Sequence, residues 1–255
     1  MSVRIPFPDF VEEATFLVSE AARRGAQLNI LGATAIYVHC PKFRFLFEAF
    51  GRKLSDIDFV SYSRFSRKIE ALLLEMGYAG RERFNAIHGK SRLIFDDPAN
   101  KRYVDVFFDK LDMSHTVSFS GRLELEHPTI TLTDLLLEKM QIAQLNEKDI
   151  KDTIVLLREH DIGDEEKERV DGGYVAKQLA SDWGFWFTVT TNLNKIEGRV
   201  KEHQILSDED KRDILGKLET LRKQIDSEPK SMKWTMRARI GPKVKWYQDV
   251  DEARQ

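Results

Sequence analysis

An aspartate stands in the middle of Arg102-Tyr103-Val104-Asp105-Val106-Phe107-Phe108. Its neighbours are β-branched or aromatic, the composition of a strand inside a sheet. A carboxylate at the centre of such a strand is costly unless something neutralises it. Two explanations follow. Asp105 is a structural acid paired with Arg102 or Lys110, or it belongs to a site that gathers charge from several strands. Either way the chain must build a sheet that brings a partner to this position.

The surrounding pattern supplies that sheet. Residues 8–24 read as a helix, with Phe10, Val11, Ala14, Leu17, Val18 and Ala21 on one face and Arg23-Arg24 closing it before Gly25. Gln27–Leu31 reads as a short strand that runs into Gly32-Ala33-Thr34-Ala35 and a second helix to about Cys40. Ser55–Val60 reads as a strand, Arg64–Met76 as a helix, Arg83–Ile87 and Ser91–Phe95 as strands about a His88-Gly89-Lys90 hairpin, and Lys101–Phe108 as the strand after the Asp96–Asn100 turn. From about residue 130 the pattern is helical: Leu132–Leu145 capped by Thr131 or Thr133, Lys148–His160, Tyr174–Val200 and Asp208–Ile225, with an acidic connection at Asp161–Gly173. Ser207 and Asp210 have the spacing of a capping box. The expected class is α+β, with a mixed-sheet core at 1–125 and a helical C-terminal region at 126–255.

Composition narrows the function classes. The 255 residues carry 40 Lys+Arg against 42 Asp+Glu, so a globally polycationic nucleic-acid binder is excluded while a local basic patch is not. A single cysteine, Cys40, leaves no disulfide framework and no multi-cysteine zinc site. No stretch of about 18 apolar residues occurs and the N-terminal stretch lacks a signal-peptide core, so a cytoplasmic protein without a membrane partner is expected.

Two further features carry chemistry. In Ser55-Asp56-Ile57-Asp58 the two acids are two apart on a strand, so they share a face. Such a pair is a solvated strand face or a ligand pair for a hard cation such as Mg²⁺. The strand–Gly32-Ala33-Thr34–helix turn either packs a helix closely onto a strand or offers backbone N–H groups to a phosphate. If the Asp105 strand lies beside the Asp56/Asp58 strand, three carboxylates converge, the ligand set of a two-metal phosphoryl- or nucleotidyl-transfer site.

As an ordered set, Gly32-Ala33, then Arg52 and Ser55-Asp56-Ile57-Asp58, then Asp105, resembles the nucleotidyltransferase superfamily related to DNA polymerase β. The later Leu135–Ala143 segment with Lys139, followed by Lys148-Asp149-Ile150-Lys151-Asp152, resembles the AbiEii-type branch, the toxin-like nucleotidyltransferases of toxin–antitoxin systems. The resemblance covers roughly residues 25–160. It implies an enzyme that moves a nucleoside monophosphate from an NTP to an acceptor hydroxyl, on RNA, tRNA or protein, with pyrophosphate leaving and an antitoxin as partner. By the same resemblance Asp56, Asp58 and Asp105 hold two Mg²⁺ ions. Gly32, Ala33, Thr34 and Lys139 hold the phosphates. Arg52 and Ser55 stand at the acid pair, and Asp149 and Asp152 meet the base, ribose or acceptor. Asp149 and Asp152 also read simply as acids near a helix start. Ala33 departs from the Gly or Ser of the pattern, which keeps open a silent, nucleotide- or protein-binding member. A sugar-nucleotide glycosyltransferase with a D-x-D pair leaves the Gly32 turn and the Lys139 helix unexplained.

Lys230–Gln248 holds six basic residues (Lys230, Lys233, Arg237, Arg239, Lys243, Lys245), no acid, and Trp234, Trp246 and Tyr247. It reads as an RNA contact or, preferred, as a solvated basic strand pair whose Trp rings pack inward. The six His lack metal-ligand spacing, Cys40 reads as a small core residue, and Trp183–Phe187 as helical core or a subunit contact.

Overall fold

The computed structural model describes residues 4–250. The chain is mixed α/β, with a mixed central sheet and a helical C-terminal region. It divides into two compact units. One takes the chain up to Pro41, Lys53–Leu111 and Ser118–Thr131; the other takes Lys42–Arg52, Asp112–Val117 and the chain from Leu132.

The first unit is built on five strands: β1 (Leu28–Leu31), β2 (Asp56–Ser61), β3 (Ala79–Gly80), β4 (Arg92–Asp97) and β5 (Arg102–Phe108). Their order is β1-β2-β5-β4-β3. The β2–β5 pair is parallel and the other three pairs are antiparallel. Ile57 and Phe59 alternate with Asp56 and Asp58 along β2, and they pair with Val104 and Val106. All four apolar side chains are fully buried. The period of two thus puts the core on one face and the acids on the other.

The Phe10–Arg23 helix forms as expected, with Asp9 accepting from Glu12 N at its start. Beside it, buried Glu13 takes Arg4 at 2.6 Å and Tyr78 Oη at 2.8 Å. The segment from Ser118 to Thr131 closes the β1 edge. Ile30 N donates to Pro128 O, Ile130 N donates to Ile30 O, and the buried Asn29 amide donates to the carbonyls of Leu123, Glu126 and Thr129. These bonds hold 126–131 to the sheet, beyond the expected boundary at 125.

One expected strand is a helix. Arg83–Ile87 lies within the Glu82–His88 helix, and there is no hairpin at His88-Gly89-Lys90. Phe84, Ile87 and His88 have helical spacing, which a five-residue window reads poorly. Asn85 fixes the outcome: its side chain accepts from Ile94 N at 2.9 Å and donates to Ile94 O at 3.1 Å. Both backbone groups of a β4 residue are thereby used by a helix side chain.

The second unit is helical, with helices at Leu132–Met140, Glu147–Glu159, Gly172–Ser181, Trp183–Glu202, Asp208–Ser227 and Met232–Ile240. The first ends five residues earlier than expected, where Asn192 Nδ2 takes the carbonyls of Met140 and Ile142. Thr133 is not a cap. It lies inside that helix and bridges Glu166 Oε2 and Asp171 N. The expected Tyr174–Val200 helix breaks at Asp182, which caps the next helix through Phe185 N. The acidic connection contains a short parallel pairing of Asp161–Gly163 with Arg169–Asp171. The Ser207–Asp210 capping box is present. Among the described residues no helix is long and apolar enough to cross a membrane. Cys40 is fully buried.

Candidate active site

The site grows out of the register of two strands. Asp58 and Asp105 are direct partners across the parallel β2–β5 pair, and Asp56 partners Tyr103. Residues in register on adjacent strands share a face. Asp56, Asp58 and Asp105 therefore all lie on the face opposite Ile57, Phe59, Val104 and Val106. Asp56 and Asp58 are partly exposed, and Asp105 is 2% exposed.

β1 brings the turn to the same place. Leu31, its last residue, pairs with Asp58 on the side away from Asp105. The next residue, Gly32, has φ +71° and opens the Gly32–His39 helix. A Cβ on Gly32 would lie 2.6 Å from Asp58 Oδ2. Only a residue without a side chain lets the Asp58 carboxylate rest against this backbone, and only glycine takes this φ at little cost. The first turn of the helix holds no acid. The Thr34 hydroxyl donates to Asp56 O at 3.4 Å, so it helps seat the start of β2. Ala33 is buried. Ser55 donates to Asp56 Oδ1 at 3.1 Å.

The packing explanation named Arg102 and Lys110, and the structure adds a partner that it did not name. Arg92, on β4, approaches it with both edges of the guanidinium: Nε lies 3.3 Å from Oδ1 and Nη2 3.0 Å from Oδ2. The Arg92 guanidinium also lies 4.8 Å from the Phe107 ring centre. Arg102 is used elsewhere, on Asp97 at 2.9 Å and on the carbonyls of Phe7 and Pro8. Sequence inspection missed Arg92, although a signal was present. Counting outward from the Asp96–Asn100 turn pairs Arg92 with Phe107, one diagonal step from Asp105.

A cation test follows from this donor set. Asp56 and Asp58 are oxygen ligands on one face, of the type that suits a hard divalent cation, and Asp58 abuts a glycine backbone whose side chain would fill the space. Both Asp105 oxygens accept from Arg92, so a second cation held there would share that carboxylate with a guanidinium. Among the described residues no three His, Cys, Asp or Glu side chains form a group that could hold a metal ion.

The remaining expected residues lie in the helical unit. Lys139 Nζ is 3.3 Å from Asp149 Oδ1, 3.3 Å from Asp152 Oδ2 and 3.5 Å from Glu138 Oε1. Arg52 pairs with Asp152 through Nε at 2.8 Å and Nη2 at 3.0 Å. The spacing of Asp149 and Asp152 does put both on one helix face, and Lys139 and Arg52 bind there. Asp149 is also an ordinary first-turn acid, its N–H held by the Asn146 cap. The Lys230–Gln248 stretch is a helix and a turn, not a strand pair. Its rings pack within the unit: Trp234 edge-on to Trp186 at 5.1 Å, and Trp246 edge-on to Phe187 at 4.9 Å with its Nε1 on Thr188 Oγ1.

Comparison of the sequence with protein-family models gives no match, and comparison with curated proteins gives none.

Proposed function

We propose that the protein is a Mg²⁺-dependent nucleotidyltransferase, moving a nucleoside monophosphate from an NTP to an acceptor hydroxyl on RNA, tRNA or a protein. The observation that carries this reading is the register pairing of Asp58 with Asp105, with Asp56 two residues before and the Gly32 backbone against Asp58. Bound Mg²⁺ would be held by Asp56 and Asp58 and would offset charge on the triphosphate. In the reaction an acceptor oxygen bonds to the α-phosphorus, the bond to the β-phosphate oxygen breaks, and pyrophosphate leaves. The start of the Gly32–His39 helix presents main-chain N–H groups and a positive dipole end to a phosphate. Such catalysis rests on positioning and charge compensation rather than on a covalent intermediate.

A transfer role for Lys139, Arg52, Asp149 and Asp152, and any pairing with an antitoxin, rest on the resemblance alone. Replacing Lys139 with Met tests the first: loss of transfer by a folded protein supports it. A second reading, a nucleotide-binding module without turnover, is favoured by Ala33 and by the commitment of Asp105 to Arg92. Incubation with each α-labelled NTP, Mg²⁺ and a cell extract separates the two. Label transferred to a macromolecule, lost with EDTA and in the Asp56→Ala/Asp58→Ala variant, supports the enzyme. Mg²⁺-dependent nucleotide binding without transfer supports the module.

A further inference from the structure

One end of the carboxylate face carries an aromatic ring in the open. β5 is the middle strand of five, and every residue on it is buried except Tyr103, which is 39% exposed. Tyr103 is in register with Asp56 on β2 and with Asp96 on β4, so it shares the face of Asp58 and Asp105. The Arg81 guanidinium stands over this ring, 5.0 Å from its centre. Asp96 fixes that guanidinium through two bonds, Nε to Oδ2 and Nη2 to Oδ1, each 3.2 Å. A groove of about 450 Å³ continues from Arg81 along the Glu82–His88 helix. It is lined by Phe84 and by Ile87, which is 68% exposed, and the rings of Phe84 and His88 lie 4.7 Å apart. Arg83 and one acid, Glu82, complete its walls.

The side of the sheet on which these groups lie gives them a role. β1 and its Gly32 turn flank β2 on one side, and β5 with Tyr103 flanks it on the other. In-line transfer sets the attacking oxygen and the leaving pyrophosphate on opposite sides of the α-phosphorus. With the phosphates at the Gly32 turn, the acceptor approaches over β5 and β4. Bases stack on aromatic rings and guanidinium planes, and arginines meet backbone phosphates, so this edge has the groups that hold an unpaired strand. We propose that Tyr103, Arg81 and the groove beside the Glu82–His88 helix hold the single-stranded end of an acceptor nucleic acid, with a base stacked on Tyr103. The inference rests on the nucleotidyl-transfer reading and selects, among its acceptors, a nucleic acid over a protein.

The test is fluorescence anisotropy of a labelled single-stranded oligoribonucleotide on the full-length protein, which needs no turnover, beside titration with ATP and Mg²⁺. Wild type is expected to bind the single strand, and a duplex of the same sequence about tenfold more weakly. Tyr103→Leu removes the ring at an exposed position and should weaken the single strand about tenfold, while Tyr103→Phe should stay within about threefold of wild type. Arg81→Gln should weaken it and make binding less sensitive to salt, which carries the test if Tyr103→Leu does not fold. ATP affinity should be unchanged in all three variants. An unchanged single-strand affinity in Tyr103→Leu, a duplex bound as tightly as the single strand, or a loss confined to ATP overturns this inference and leaves the transfer reading standing. Transfer of label to a protein by a wild type that binds no single strand does the same. Binding of neither ligand together with no label transfer overturns both.

Discussion

Two aspartate–arginine pairs lie on β4 and β5, and they have opposite characters. Asp97 is closed on every side. Its Oδ1 accepts from Ala99 N and Asn100 N, and its Oδ2 from Asn100 Nδ2 and Arg102 Nε. Arg102 spends its other nitrogens on the carbonyls of Phe7 and Pro8, tying the N-terminal segment to the sheet. Every donor serves the fold. Asp105 is also paired, with Arg92, yet its in-register neighbour is another acid, Asp58, and Asp56 follows on the same face. Folding gains nothing from setting carboxylates side by side. The difference teaches that charge in a sheet marks a site when its neighbours are of like sign, and structure when its neighbours close around it.

Experiments that break this contrast rank by size. The largest effect belongs to the open face: Asp58→Asn should lower nucleotidyl transfer by about a thousandfold or more, measured as label incorporated per folded molecule. Next comes the closed pair. Arg102→Ala strands buried Asp97 and should cost about 3–5 kcal/mol of stability in urea unfolding, with transfer per folded molecule retained. Gly32→Ala sits between the two kinds. Its left-handed φ costs about 1–2 kcal/mol in stability, but the new methyl meets Asp58 Oδ2, so transfer should fall by more than that stability loss explains.

The smallest effect is a pH dependence in the helical unit, where His115 is a closed group of another kind. It is buried, bonded to Thr188 Oγ1 at 2.7 Å and stacked on Phe185. Burial pushes its pKa below the ordinary histidine value. The unfolded chain therefore takes up the proton first as pH falls, and stability is lost on acidification through the ordinary histidine range. His203 is shifted the same way, by burial and then by Lys151. Urea midpoints should fall from neutral to mildly acidic pH, and His115→Gln should reduce that slope without abolishing it.

Much of the sheet and its acids is legible in the sequence, for identifiable reasons. Strands announce themselves by a period of two, so spacing alone places Asp56 and Asp58 on one face. A buried acid in an apolar strand demands a neighbour, and Asp105 finds its acids in register. Asn146, Asp182 and Ser207 all act as helix caps through short-range bonds, and of these only Ser207, with Asp210 three residues on, reads as a cap from spacing. The features that sequence misplaces depend on distant residues. The Glu82–His88 segment is a helix because Asn85 binds Ile94. The Leu132–Met140 helix stops where Asn192 takes its last carbonyls. Arg92 escapes notice because strand register, not strand existence, places it diagonal to Asp105. The Trp residues near the C-terminus pack on rings more than forty residues earlier in the chain.

The most direct test pairs two assays on two variants. Asp58→Asn and Asp97→Asn are each measured for urea unfolding in EDTA and for Mg²⁺-dependent label transfer. Asp58 is partly exposed, so Asp58→Asn should lose less stability than Asp97→Asn and be inactive. Asp97→Asn leaves Arg102 buried without its counter-charge and should lose about 3 kcal/mol of stability while its folded fraction transfers label. An Asp58→Asn protein that unfolds as readily as Asp97→Asn and still transfers label at the wild-type rate would contradict the assignment of this face as the active site.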